Sequence, residues 1–600
     1  MTTWIAGVAR GHNGGVCLLK DGEIVFSIEE ERLSRQKYDG GPYASLVKIL
    51  DYTDKIDYLV ISHTQPDESR VEFSGDNVIV GLARKLRLIS NPQDQVIQMD
   101  KWHHKMHAAC AFYRSGFESA CAVIVDGAGT FIPMNINGEE EMTWELETIF
   151  DCAYPAKFKT LYKHQGGRGP WPSIQIPEMK SDREGEEGTH ELVLDDSGGI
   201  VKAYEAVTQY CGWQPIEAGK TMGLFPYGEY NEEIPEIYTD GGPTGKWRTT
   251  DRNVIIPTYP NGAVVNVERY ESLDNFDTDM EADITLLQNR RDMAYAVQTE
   301  SQQMVLELIR KAVDMSANNN VVISGGYGLN CVANYWYLEQ LKDEDINIYV
   351  EPISNDAGTA MGAALLVHYS LTGDTNIRPF GESLFLGPKV TATDEEIVAI
   401  AKEYGATAVT DKQSPEDAVK LILKGNIVTL FQSQCENGPR ALGNRSILFD
   451  PRTEDGKDYV NSVKHREYFR PFAGSIMHEY ADEWFDMRGL EESPHMMYAM
   501  NCSSEEKMNM IPAIIHIDGT CRIQTVKEHQ NPTYYAMIKE FHAQTGVPIL
   551  FNTSFNLGGE PLVETIEDAI RTLASSDIEY LYIPDNDLII QVKNKEKKDD

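Results

Sequence analysis

The stretch IAGVARGHNGGVCLLKDGEIVFSIEE, residues 5–30, decides the fold. It reads as a strand (IAGVA), a glycine-rich turn (GHNGG), a second strand (VCLL), an Asp21-Gly22 hairpin turn and a third strand (EIVFSIEE). The first turn leaves backbone N–H groups open to face an anion. The same grammar returns at residues 121–150, CAVIVDGAGTFIPMNINGEEEMTWELETIF: strand, glycine turn, strand, Asn-Gly turn, strand. Two such units in one chain predict an internally duplicated nucleotide-binding α/β fold.

Further along, Val297, Met304, Val305, Leu308, Ile309 and Ala312 fall on one helical stripe, which predicts a core helix over 290–313. NVVISGGYGLNCVANYWYLE (320–339) follows, an apolar strand running through a glycine-rich loop into a helix, and INIYVEP with SNDAGTAMGAALLV (346–367) repeats the pattern. A loop between a strand's C-terminal end and a helix N-terminus is suited to a phosphate or a nucleoside. The turn-rich segment 372–391 precedes a capping box, Thr393 with Glu396, and a boundary there divides the chain into domains 1–378 and 379–600. The second domain alternates helices and strands (EEIVAIAKEYG, NIVTLFQ, YYAMIKEFHAQTG, VPILFNTS), so it is α/β as well.

The composition narrows the partners. With 54 Lys plus Arg against 93 Asp plus Glu, the formal charge of −39 repels polyanions, so a nucleic acid would need a local basic surface. Nine scattered cysteines without a CxxC pair point to reduced thiols and a cytoplasmic setting. The start MTTWIAGVARGH lacks a signal-peptide pattern, and no segment has the apolar length of a membrane span.

KWHHKMHAAC (101–110) holds three of the fourteen histidines. On a helix His103 and His107 are i and i+4 and share a face, while His104 points elsewhere. Asp126 ends the apolar strand AVIVD, which aims its carboxylate out of the sheet. Asp356 ends a strand-to-helix loop, where the plain alternative is an N-cap. Two imidazoles and two carboxylates suit Fe(II), Mn(II) or Mg(II) better than structural zinc. HExxH peptidase chemistry is disfavoured because His104 stands where the general-base glutamate belongs. In the second domain CENGPRALGNRS holds Arg440 and Arg445, and NSVKHREYFRPFA holds Lys464, Arg466 and Arg470. Such grouping in an acidic chain points to a bound dianion, helped by the hydroxyls and N–H groups of NTSF (552–555); an internal salt-bridge network is the alternative.

HHKMHAACAF, VIVDGAG, GKTMGLFPYGE, GGYGLNCVAN, SNDAGTAMGAAL, GPRALGNRSILFDPR, VKHREYFRPFA, DGTCRIQTV and TGVPILFNTSFNLGGEP occur in this order. Together they resemble the nodulation-factor and antibiotic O-carbamoyltransferase family over nearly the whole chain. The resemblance implies an actin-like (ASKHA) duplicated domain joined to a YrdC-like domain, the latter similar to threonylcarbamoyl-adenylate synthase. It implies that carbamoyl phosphate and ATP form carbamoyl-adenylate in the C-terminal domain and that the actin-like domain passes the carbamoyl group to an acceptor hydroxyl. By motif, His103, His107, Asp126 and Asp356 would hold the metal, Lys220, Gly223, Gly325, Gly326 and Asn330 the nucleotide, and Arg440, Lys464, Arg470 and Ser554 the carbamoyl phosphate. Arg440, Lys464 and Arg470 would also act in catalysis, together with His12.

Two departures stand out. Where the family reads HDAS, this chain has His12-Asn13-Gly14-Gly15, which removes the aspartate. Residues 156–196 look like an insertion, basic and aromatic from Lys157 to Trp171 (Lys157, Lys159, Lys163 and Arg168 with Phe158 and Tyr162) and acidic over SDREGEEGTHELVLDD. The plain expectation is a surface loop; the functional one is contact with the acceptor, a sugar, a natural product or a hydroxymethylated pyrimidine in nucleic acid. An actin-like-fold ATP-dependent kinase and a non-catalytic nucleotide-dependent binding protein are the competing readings, but neither needs both the HxxxH pair and the cation group. Homo-oligomerisation is left open.

Overall fold

The computed structural model describes residues 2–65, 77–136, 138–168, 173–180, 188–241, 247–258, 261–266 and 287–592. The chain forms two compact units, one of Met1–Val25 and Gly40–Gly381, the other of Phe26–Asp39 and Glu382–Asp600. The second unit thus includes a short piece of the N-terminal region.

Five strands form the first sheet: β1 (Trp4–Ala9), β2 (Gly15–Lys20), β3 (Glu23–Glu29), β4 (Tyr58–Ser62) and β5 (Val96–Gln98), in the order β3-β2-β1-β4-β5. β1 is antiparallel to β2 and parallel to β4, which is parallel to β5. The strand-turn-strand-hairpin-strand reading of residues 5–30 is realised here.

The second sheet is built from β6 (Ser119–Val125), β7 (Phe131–Ile136), β8 (Glu139–Ala153), β9 (Lys157–Gly167), β10 (Ile174–Lys180) and β11 (Thr189–Asp195). Two small hairpins follow in the chain, β12–β13 (Tyr238–Gly241, Trp247–Thr250) and β14–β15 (Ile255–Thr258, Gly262–Val265). β16 (Asn320–Ser324) and β17 (Asn347–Val350) then complete the sheet in the order β10-β11-β9-β8-β6-β16-β17, with β7 paired to β8. Its core, β9-β8-β6-β16-β17, repeats the order and directions of the first sheet: β8 is antiparallel to β6 and β9, and β16 is parallel to β6 and β17. Helices His103–Ser115 and Gln288–Ser316 both pack on β6, which is why AVIV is a continuous apolar run rather than an alternating one. On the second helix Val297, Met304, Val305, Ile309 and Ala312 are buried as the stripe requires.

The duplication is therefore real in topology, with a shift in its third strand. β7 is a side strand on β8, and the place of β3 in the repeat is taken by β9, the segment read from sequence as an insertion. Residues 157–167 are not a surface loop. Phe158, Thr160 and Tyr162 turn inward while Lys157 and Lys159 turn outward, a period-two pattern hidden behind the basic composition. Phe158 packs in an aromatic group with Phe112 and Tyr113, and Lys163 is buried against Glu145 at 3.0 Å. Lys157 pairs with Asp151 at 2.6 Å, and Arg168 spends its guanidinium on backbone carbonyls of Gly167, Asp196, Thr258 and Gly262. Phe158, Tyr162, Lys163 and Arg168 are thus committed within the protein while Lys159 is exposed, so these residues lend the nucleic-acid expectation no support; Trp171 and the acidic residues 181–187 lie outside the described residues.

The second unit has one mixed nine-stranded sheet of β18 (Ala408–Thr410), β19 (Val428–Phe431), β20 (Arg445–Phe449), β21 (Ala473–Met477), β22 (Ala499–Asn501), β23 (Thr520–Val526), β24 (Ile549–Ser554), β25 (Tyr580–Ile583) and β26 (Leu588–Gln591). The order is β18-β26-β25-β19-β20-β24-β21-β23-β22. Helices such as Asp394–Glu403, Pro415–Leu423 and Pro532–Thr545 accompany it, making the unit α/β. The first of them begins at the expected capping box: Thr393 Oγ1 accepts from the Glu396 N–H at 3.3 Å and Glu396 Oε2 from the Thr393 N–H at 2.8 Å.

Candidate active site

Four side chains from three helix and strand ends converge in the first unit. His103 opens the helix His103–Ser115, where its backbone N–H donates to Thr130 Oγ1 at 3.1 Å in place of a capping side chain. One turn on, His107 Nε2 lies 3.2 Å from His103 Nε2. Asp126, just past β6, accepts from the Gly326 N–H at 3.0 Å through Oδ1 and turns Oδ2 to His103 Nε2 at 3.2 Å and to His107 Nε2 at 3.8 Å. Asp356 occupies the N-cap position of the helix Ala357–Thr372 but makes no capping hydrogen bond; its Oδ1 lies 3.6 Å from both histidines. The plain N-cap reading of Asp356 therefore fails. Its carboxylate turns instead to the histidines, including His12, whose Nδ1 lies 3.3 Å from Asp356 Oδ2 on a half-exposed ring.

The donor set fits a metal ion. One ligand atom from each of the four buried residues lies within 4.8 Å of the others. Atoms about 2.0–2.2 Å from a common ion stand about 2.8–3.6 Å apart at octahedral or tetrahedral angles, close to the separations of the histidine nitrogens from one another and from the carboxylate oxygens here. Two Nε2 atoms facing one another can share only one proton, so an arrangement that aims both inward is better completed by a cation. Burial opposes a charged His103, yet the carboxylates of Asp356 and Asp126 outweigh it and raise the imidazole to about 10. Burial alone dominates at His104, which falls to about 4 and bonds Thr148 Oγ1 at 2.7 Å, away from the cluster. Burial would push Asp126 and Asp356 up, but the histidines hold both below the carboxylate range.

The two ligand-bearing helices are held by backbone contact. A Cβ on Gly362 would sit 1.9 Å from the Met106 carbonyl oxygen, and one on Gly7 of β1 would sit 1.9 Å from that of Ala360. Only glycine permits either approach.

The expected nucleotide residues come from two adjoining stretches, Met222 Sδ lying 3.9 Å from Cys331 Sγ. Gly325 and Gly326 follow β16 directly, and Gly326 touches the cluster through its N–H. Asn330 is a helix cap: its Oδ1 accepts from the Ala333 N–H at 3.1 Å and its amide donates to Gln298 Oε1 at 3.0 Å. Lys220 pairs with Glu217 at 2.8 Å within the same short helical region, and Gly223 is buried in the helix Ala218–Leu224.

In the second unit the cations gather as the grouping implied. Lys464 is 2% exposed, and its ammonium donates to the Ser554 carbonyl, to Ser554 Oγ at 3.3 Å and to Asn556 Oδ1 at 3.1 Å. Burial, then Arg466 and Arg470, drive Lys464 well below the usual lysine range; burial, Arg470, Arg522 and Arg440 act likewise on Arg466. Arg470 has Glu467 at 3.5 Å. Mutual repulsion at a buried site is relieved by an anion, so this cradle can hold one. Arg445 is not part of it: its buried guanidinium stacks on Phe431 and donates to the carbonyls of Gln432 and Asn444. Two cations enter that sequence reasoning passed over. Arg522 stands in β23, within a quoted motif whose lone cation in an apolar run was a usable signal. Lys37 arrives from the Phe26–Asp39 segment, and nothing local to it points there.

A family model described as the N-terminus of carbamoyltransferases matches residues 79–365, and one for their C-terminus matches residues 419–590. The chain belongs to the carbamoyltransferase family. As a carbamoyltransferase it is a transferase enzyme. It is 30% identical over 600 residues to the nodulation protein NolNO of Sinorhizobium fredii, covering 95% of this chain and 78% of that one. It is 29% identical over 280 residues to the 3'-hydroxymethylcephem-O-carbamoyltransferase of Amycolatopsis lactamdurans, covering 45% of this chain and 49% of that one. Among solved structures, full-length HypF in a phosphate- and nucleotide-bound form matches 62% of this carbamoyltransferase and 56% of HypF at 12% identity, with a TM-score of 0.35 too low to carry an argument. No helix among the described residues is long and apolar enough to cross a membrane.

Proposed function

We propose that this carbamoyltransferase is an ATP-dependent O-carbamoyltransferase with an actin-like first unit and a YrdC-like second unit. In the second unit, water takes the phosphoryl group from carbamoyl phosphate and releases inorganic phosphate. A carbamate oxygen then attacks the α-phosphorus of ATP, forming carbamoyl-adenylate and expelling pyrophosphate. In the first unit an acceptor hydroxyl attacks the carbamoyl carbon, its proton goes to a base, and AMP leaves.

The observation that carries this reading is the buried cradle around Lys464. Two anions must be brought together before the carbamate oxygen can attack, and Lys464, Arg440 and Arg470 supply the charge that offsets their repulsion. Ser554 Oγ and Asn556, bonded to each other at 2.6 Å, fix the ammonium toward the cradle. In the first unit His103, His107, Asp126 and Asp356 would hold a divalent ion, Fe(II) before Mn(II) or Mg(II), given two nitrogen and two oxygen donors. Such an ion, when bound, would supply charge stabilisation for the departing AMP. His12, half-exposed beside Asp356, would hold or move the acceptor's proton. A kinase reading would leave the cradle without a ligand.

The test is pyrophosphate release from ATP with and without carbamoyl phosphate. Release that requires carbamoyl phosphate is expected before any acceptor is added. Release that is indifferent to it, or its absence alongside ATP-dependent phosphorylation of an acceptor, would overturn the reading.

A further inference from the structure

The connection between β19 and β20, residues 432–444, carries Arg440 into the cradle. It forms no helix or strand and much of it is buried, so side chains must meet its backbone groups. Three buried amides meet its carbonyls: Gln432 Nε2 donates to that of Gly443 at 2.8 Å, Gln524 Nε2 to that of Leu442 at 2.8 Å and Asn552 Nδ2 to that of Ala441 at 3.2 Å. Arg32 Nη2 donates to the Gly438 carbonyl at 2.6 Å.

A single atom meets the N–H groups beyond Arg440. Glu436 is fully buried, and its Oε1 accepts from the backbone N–H of Leu442 at 2.7 Å, of Asn444 at 2.8 Å and of Arg445 at 3.3 Å. Gly443, at φ 108°, turns the chain so that these donors converge. Converging backbone N–H groups make an anion nest, and here the protein fills it with its own carboxylate. Glu436 Oε2 is buried without a hydrogen-bond partner among the described residues, so the residue works as an acceptor through one oxygen, which glutamine can reproduce. Between the anchors at Gly438 and Ala441 only Pro439 and Arg440 remain, and the proline ring restricts the backbone of the first.

We infer that Glu436 is a positioning residue for the anion cradle: through Oε1 it holds residues 437–445 in the path that aims Arg440 at the bound anion. The inference rests on the cradle reading and adds to it a side chain that touches no ligand. Charge and position predict opposite effects here. A carboxylate repels an anion, so deleting its charge alone would tighten anion binding, whereas releasing the loop weakens it.

Calorimetry of the full chain with inorganic phosphate measures the difference. Arg440→Ala should weaken phosphate about tenfold or more, the worth of a charged hydrogen bond. Glu436→Ala should weaken it about fivefold or more, and Glu436→Gln should stay within about twofold of the wild type. In the Arg440→Ala background Glu436→Ala should change the affinity by less than about twofold, because one residue acts through the other. If Glu436→Ala does not melt cooperatively, Glu436→Asp, which keeps the charge and draws the acceptor back by one carbon, replaces it with the same expectations. Tighter or unchanged binding in the folded Ala or Asp variant, a Gln variant as weak as it, or additive losses in the double variant would overturn the inference and leave the cradle standing. Phosphate binding that is absent, or indifferent to Arg440→Ala, would remove the cradle and this inference together.

Discussion

Replacing Lys464 by methionine separates binding from folding at the cradle. The substitution keeps an unbranched chain of similar length and removes one positive charge from a dianion site. A charged hydrogen bond to such a ligand is worth about 1.5–3 kcal/mol, and at about 1.4 kcal/mol per tenfold this predicts affinity about 10- to 150-fold weaker. Stability should not follow. The ammonium is disfavoured by burial and by Arg466 and Arg470, so removing it relieves that repulsion against the loss of its bonds to Ser554 and Asn556. The thermal midpoint is expected to hold or rise while carbamoyl-phosphate affinity falls, read by calorimetry with inorganic phosphate as a stable control. Because Lys464 lies below its ordinary value without ligand and a dianion raises it, binding should take up protons and weaken as pH rises. Calorimetry in buffers of different ionisation enthalpy reports that uptake. Unchanged affinity in a cooperatively folded variant would refute the argument and leave the cations a structural network.

His103→Ala and Asp126→Ala should each lose bound metal by elemental analysis and abolish transfer, while carbamoyl-phosphate-dependent pyrophosphate release persists; full transfer by a metal-free double variant would remove the cluster from the mechanism. Lys163→Met takes from buried Glu145 the ammonium at 3.0 Å, leaving the Thr130 N–H on its other oxygen, and should cost about 3–5 kcal/mol in urea denaturation; a change below about 1 kcal/mol would contradict the buried pairing. His164 is opposed by burial but raised to about 10 by Asp195 and Glu147, against about 6.5 when unfolded. Its contribution to stability is therefore complete below about pH 6.5 and lost as pH rises through 10, so His164→Gln should flatten the alkaline fall of the denaturation midpoint.

What could be read from the sequence was local. The HxxxH pair, the carboxylate after AVIV and the capping box at Thr393 depend on residues a few positions apart, and helix and strand periodicity convert that spacing into geometry. The 157–167 strand was equally local and was misread, because three lysines and two rings drew attention to composition when alternation of Phe158, Thr160 and Tyr162 was the decisive pattern. Long-range associations were beyond reach. Nothing near Lys37 indicates that it joins Lys464, and His164 meets Asp195 only because β11 lies parallel to β9. Asp356 shows the limit in another form: one residue fits both a cap and a ligand, and only its side-chain direction distinguishes them.

Gly362 has a consequence for the geometry of the cluster. With backbone against backbone at Met106, no side chain between the two helices can yield, so His103 and His107 on one and Asp356 at the head of the other keep a fixed spacing. That spacing is set by the contact between the helices rather than by whatever the four side chains hold. A glycine that touches none of them thereby decides where they stand. Any side chain placed there would shift the histidines against Asp356 before it reached either.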